Sequence, residues 1–211
     1  MGSADRIASE DNLARAIEIL LCLAILIFFA PLMIVLALAV KLSDGGPVLF
    51  AHRRLGLGGE SFNCLKFRSM VVDAEDRLQV LLASDPVARA EWESDHKLTR
   101  DPRVTVIGDF LRRSSLDELP QLFNVLRGEM SLVGPRPIVQ AEVARYRRYY
   151  AVYCQVRPGI TGLWQVSGRN DVSYRRRVAL DVIYARSRCT RLYFKILLAT
   201  APAVLGRRGA R

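Results

Sequence analysis

Two adjacent carboxylates, Asp117 and Glu118, stand among arginines: Arg112 and Arg113 just before them, and Arg136 further on between Pro135 and Pro137. Guanidinium forks match phosphate oxygens in pairs, and a stiff Pro-Arg-Pro setting fixes where such a fork points. Lys66 and Arg68, in the segment KFRSM, form a second basic pair with the same potential, although ordinary surface charge explains them equally well. Acids beside phosphate-gripping cations suit phosphoryl transfer, in which Mg²⁺ held by one or two carboxylates neutralises developing charge. A plainer account of the acids stands beside this one: Ser115 and Glu118 fit a capping box, and acids are favoured near a helix N-terminus.

The elements that must carry these residues follow from periodicity. Leu116, Leu119, Phe123 and Leu126 recur at helical spacing, which predicts one helix that buries this stripe and turns Asp117, Gln121 and Asn124 to another face. Residues 47–70 alternate apolar and polar around LGLGG, the pattern of a short β-hairpin. Its glycines are turn residues: the loop lacks both G-x-G-x-x-G before a helix and the Lys-Ser/Thr of a P-loop. Residues 71–98 are charged and helix-prone, a solvated helical face. Residues 142–153, EVARYRRYYAVY, mix tyrosines with arginines as an interfacial helix does. The apolar stretch 192–205 is too short to span a bilayer and reads as lying on its surface.

Ile19 to Val40 is a run of 22 residues without a charge, reaching roughly 33 Å as a helix. Arg6 and Arg15 precede it and Lys41, Arg53 and Arg54 follow, so charge gives no clear direction of crossing. Pro31, just past its middle, allows a sharp bend, while composition alone favours an ordinary spanning helix that tolerates the proline. The division expected is residues 1–41 as a membrane-embedded segment and 42–211 as the catalytic domain. Within the 211 residues, 51% hydrophobic side chains exclude a disordered polar chain. The net charge of +10 is concentrated late: residues 1–135 hold 15 basic and 18 acidic side chains, residues 136–211 hold 16 and 3. An anionic partner is implied for the second part, and anionic membrane lipids fit it. Cys22, Cys64, Cys154 and Cys189 are scattered and the histidines are only His52 and His96, so neither a zinc site nor a redox pair is indicated.

Three stretches, GPVLFAHRRLGLGGESFNCLKFRSM, LRRSSLDELPQLFNVLRGEMSLVGPRP and RPGITGLWQVSGRN, resemble the bacterial sugar transferases, the monotopic phosphoglycosyl transferases, in the family's order from about Arg15 to Leu205. The chain looks like the minimal catalytic form of the exopolysaccharide-priming branch. The resemblance implies a mainly α fold with a short β-hairpin (α+β), anchored at the cytoplasmic face of the bacterial inner membrane by a re-entrant helix broken at Pro31. The family's Ser-Pro break is Ala30-Pro31 here. It further implies transfer of a sugar 1-phosphate from a UDP-sugar, UDP-galactose or UDP-glucose in this branch, to undecaprenyl phosphate, with UMP released and no nucleic-acid partner. Asp117 falls on the family's nucleophile and Glu118 on its Mg²⁺ ligand. Lys66, Arg68, Arg112, Arg136 and Asp181 fall in substrate-binding motifs. Two rivals remain on the residues alone: a membrane-anchored binding module for anionic lipid or nucleic acid, and a glycosyltransferase that moves only the sugar and releases UDP.

Overall fold

The computed structural model describes residues 3–95, 98–168 and 172–205; His96, Arg169 and Asn170 lie outside the described residues. The chain opens with one long helix, α1 (Ser3–Asp44), whose helical backbone continues through Pro31. Proline removes one backbone hydrogen bond, and α1 keeps its helical course with that bond missing; the expected break in the helix is therefore not seen. Glu18, Cys22, Met33, Leu36 and Val40 are buried on one side of α1, while Leu20, Ile27, Phe28, Ile34, Val35 and Leu38 are exposed on the other. That spacing is a single stripe along the helix, and it rests on the rest of the molecule from Glu18 to Val40.

The hairpin forms as its alternation predicts. β1 (Leu49–Leu55) pairs antiparallel with β2 (Ser61–Phe67), with Phe50 opposite Lys66 and Arg54 opposite Phe62. Gly58 and Gly59, at φ 66° and 79°, supply the left-handed turn that a residue with a Cβ adopts at a cost. Two charged helices follow, α2 (Ala74–Ser84) and α3 (Pro86–Asp95), then α4 (Val106–Ser114), capped by the Thr105 side chain. Gly108 is required in α4, because a Cβ there would come within 1.9 Å of the Ser69 carbonyl oxygen.

The single helix expected from Leu116 to Leu126 is two pieces. Leu116–Glu118 is one tight turn, and α5 (Gln121–Leu126) begins only after Pro120. The buried face of α5 is Gln121, Leu122, Asn124 and Val125, whereas Phe123 is 37% exposed. The leucine stripe misleads because Pro120 resets the phase, and because α5 lies against β2, whose edge needs polar partners. Nor does the capping box form: Ser115 ends α4 in the left-handed conformation and its side chain caps nothing.

β3 (Ser131–Val133) pairs in parallel with β4 (Gly159–Thr161), and between them residues 143–153 form two short helical turns, α6 (Val143–Tyr146) and α7 (Tyr150–Tyr153). Tyr146 and Tyr153 are buried against Val178 and Val182 while Arg145, Arg147 and Arg148 stay exposed, and the left-handed φ of 49° at Arg147 interrupts the continuous helix that the composition suggested. A short helix α8 (Leu163–Val166), then α9 (Tyr174–Ser187) and α10 (Thr190–Leu205) complete the fold. Ile196 of α10 joins Cys22 of α1 and Leu122, Val125, Met130 and Val133 in the largest apolar cluster.

Candidate active site

β2, the turn before α5, and the segment after β3 converge on one cleft. Cys64 and Lys66 share a face of β2, and that face meets the Leu116–Glu118 turn. Lys66 Nζ donates to Glu118 Oε1 at 2.7 Å and to Asp117 Oδ2 at 3.2 Å. The two acids and the lysine are only 13–26% exposed in their side chains. Burial pushes the Asp117 carboxyl above its ordinary range, opposed by the Lys66 ammonium and reinforced by Glu118. Burial pulls the Lys66 ammonium down, but Glu118 and Asp117 outweigh it, and its pKa stands above the usual lysine value.

The cavity beside them is lined by Arg54, Cys64, Lys66, Glu118, Gln121, Arg136, Pro137, Gly159 and Gln165, among others. Three cations against one lining carboxylate leave it positive. Its enclosed part measures about 10 Å³, room for about one water, so a phosphate group would have to sit at its mouth or spread its walls. Arg136 reaches it because the Pro-Arg-Pro backbone is held on both sides. Gly159 N–H donates to Pro135 O at 2.8 Å, Arg54 Nη1 to Pro137 O at 3.1 Å, and Leu55 N–H to Ile138 O at 2.8 Å. Gly134 and Gly159 permit this crossing, since a Cβ on either would lie within 2.5 Å of the other strand's backbone.

The other residues singled out in the sequence are placed differently. Arg68 is 8% exposed and its guanidinium grips both oxygens of Asp44, so it ties the end of α1 to the end of β2 and does not line the cavity. Arg112 donates to Ser69 Oγ at 2.9 Å, close enough for its charge to act on Asp117. Asp181 is buried behind Arg136 and accepts from Tyr146 Oη at 2.7 Å. Burial pushes its carboxyl up to about 7, against the pull of Tyr146, Arg177 and Arg136. Asp181 Oδ1, Trp164 Nε1, Gln165 Oε1 and Arg177 Nε are the buried side-chain polar atoms without a hydrogen-bond partner among the described residues. Arg177 and Arg136 lie over the Trp164 ring at 4.1 and 5.9 Å.

Arg54 and Gln165 are the cavity residues that sequence reasoning missed. For Arg54 a signal existed: hairpin alternation puts it on the face of Cys64 and Lys66. For Gln165 none did, because the β3–β4 pairing that brings its segment to the cavity is long-range.

A family model described as bacterial sugar transferase matches residues 9–207. The chain belongs to the bacterial sugar transferase family. Among curated relatives, the undecaprenyl-phosphate galactose phosphotransferase of Salmonella typhimurium is 53% identical over 202 residues, covering 96% of this chain and 42% of that protein. The exopolysaccharide production protein ExoY of Sinorhizobium fredii is 47% identical over 196 residues, covering 93% of this chain and 87% of that one. A UDP-glucose:undecaprenyl-phosphate glucose-1-phosphate transferase of Xanthomonas campestris pv. campestris is 42% identical over 188 residues, with 85% and 36% covered. This sugar transferase thus spans well under half the length of the Salmonella and Xanthomonas relatives and most of the length of ExoY.

Proposed function

We propose that the protein is a phosphoglycosyl transferase: it moves a sugar 1-phosphate from a UDP-sugar to undecaprenyl phosphate, releasing UMP. The observation that carries this is Lys66 bridging Asp117 and Glu118 in a cleft that Arg54 and Arg136 make positive. The relatives named for galactose and glucose transfer favour UDP-galactose or UDP-glucose as donor. The cleft suits a diphosphate, whose charge the three cations offset.

In the reaction, an Asp117 carboxylate oxygen attacks the phosphorus that bears the sugar. The bond from that phosphorus to the UMP oxygen breaks and UMP leaves with the electron pair, leaving a phosphosugar on Asp117. A phosphate oxygen of the lipid then attacks the same phosphorus, and the Asp117 carboxylate is released unchanged. Lys66 opposes the rise that burial imposes on the Asp117 carboxyl and stays within reach of the developing charge. Among the described residues no cluster of three or more His, Cys, Asp or Glu forms a cage for a metal. Glu118, a hard oxygen donor lining the cleft, would hold a Mg²⁺ there. When bound, that ion would neutralise charge on the diphosphate.

The long helix supports an anchor whose two ends lie on one side of the bilayer. Arg15 and Glu18 fasten its start to the Val125 carbonyl, Ser131 and Leu132, while Asp44 fastens its end to Arg68. A straight crossing would leave one of these ends without the domain that both touch. The exposed apolar face of α1 would then meet lipid, with the domain and α10 beside the cytoplasmic leaflet of the inner membrane, where anionic lipids suit the basic C-terminal part. A cysteine placed at residue 8 should react with an impermeant maleimide only in inverted vesicles; labelling in right-side-out cells overturns this topology.

The reaction is tested by incubating purified protein with undecaprenyl phosphate, Mg²⁺ and separately UDP-galactose or UDP-glucose. UMP release supports the proposal. UDP release would mark a plain glycosyltransferase, and no release with either donor would favour a binding module.

A further inference from the structure

We infer that Asn124 is a positioning residue for Lys66, acting through the edge of β2. Asn124 is 0% exposed. Its Oδ1 accepts from the Leu65 N–H at 2.9 Å, and its Nδ2 donates to the Asn63 carbonyl at 2.8 Å and to Glu129 Oε2 at 2.6 Å. The backbone groups of residues 63 and 65 point away from β1, so one side-chain amide takes the place of a third strand at that edge. Asn124 itself stands on α5, the helix that follows Asp117 and Glu118 after Leu119 and Pro120. The amide therefore clamps the strand that carries Lys66 to the helix that follows the carboxylates, one residue from the lysine. Glu129 orients the amide, because a carboxylate accepts only and so fixes which end of Asn124 is the donor.

Aspartate at this position is nearly isosteric. It keeps the acceptor for Leu65 but loses the donor to Asn63 and sets a second carboxylate against Glu129. The pair Asn124→Asp with Glu129→Gln restores the 124–129 hydrogen bond with the roles exchanged. The inference is separable from the proposed reaction, because its first readout is the amine reactivity of Lys66. Limited acetylation of the intact folded protein, followed by peptide mass spectrometry, gives the rate at Lys66 relative to exposed Lys41 in the same chain.

We expect Asn124→Asp to raise the Lys66-to-Lys41 ratio several-fold at a temperature well below its own Tm, and the double variant to bring the ratio back towards wild type. With donor and acceptor present, kcat should fall about tenfold in Asn124→Asp while the KM for the UDP-sugar stays within about twofold. An unchanged ratio in a folded Asn124→Asp protein overturns the inference whatever happens to turnover. Should Asn124→Asp not fold, Asn124→Ser is read by the same ratio and the same criterion.

Discussion

Lys66 and Arg68 stand two residues apart, and the molecule uses them in opposite ways. Arg68 meets one carboxylate, Asp44, and both oxygens of that acid are held by its fork, with further bonds to the Pro47 and Met70 carbonyls. The charges are matched and the donors spent, which is how a guanidinium serves structure. Lys66 meets two carboxylates with one ammonium. Arg112 adds its charge on the Asp117 side, and Arg54 and Arg136 line the cavity beside Glu118. A one-to-one pair marks the joint between α1 and β2; a cation shared between two acids marks the site where chemistry is proposed.

The comparison can be broken by substitution at either place. The largest effect should come from Asp117→Asn, which keeps the shape and removes the proposed nucleophile: UMP release falls about 10⁴-fold or below detection with Tm little changed. Lys66→Gln should cost about 10² in kcat, since it removes a cation from the developing charge, and Lys66→Arg should not restore it because the planar fork fits neither carboxylate in the same way. Arg68→Gln should do the reverse, lowering stability by about 1–3 kcal/mol in a denaturant titration while turnover per folded molecule stays within a few-fold. The lower part of that range is favoured because the Asp44 side chain is 22% exposed, and water screens the loss.

Asp181 sharpens the contrast through pH. Its carboxyl is raised from 3.8 to about 7 by burial, so the folded protein holds a proton that the unfolded chain has lost. Stability contributed by this group is therefore present below about pH 4 and is lost as pH rises through 7, by a total of about 4 kcal/mol at most. Asp181→Asn should flatten this part of the stability profile between pH 4 and 8; an unchanged slope would show that Asp181 is already ionised in the folded state.

Much of the site was legible in the sequence because its parts are neighbours in the chain. Asp117 and Glu118 are adjacent, and Arg136 is marked by its two prolines; both readings depend on residue type and need no tertiary information. Lys66 was found by the same route, but Arg68 was drawn in with it, since nothing in KFRSM shows that Asp44 comes to meet the guanidinium. The hairpin was legible from period-two alternation and its glycines. The α5 region was not, because Pro120 interrupts a leucine pattern that looks continuous, and because burying Gln121 and Asn124 makes sense only once the edge of β2 is known to lie against them. The tyrosines of residues 146–153 were assigned to the membrane surface for the same reason. Their amphipathic character satisfies a lipid interface and a core equally, and here the Tyr146 and Tyr153 hydroxyls bond Asp181 and the Leu55 carbonyl.

The most direct test of the central claim is the intact mass of the protein after incubation with UDP-galactose or UDP-glucose and Mg²⁺ in the absence of undecaprenyl phosphate. The account predicts a species heavier by one hexose phosphate in the native protein, absent in Asp117→Asn, and discharged when the lipid phosphate is added. Turnover to UMP in the full reaction with no such species at any time point, or the same adduct on the Asp117→Asn protein, would contradict it.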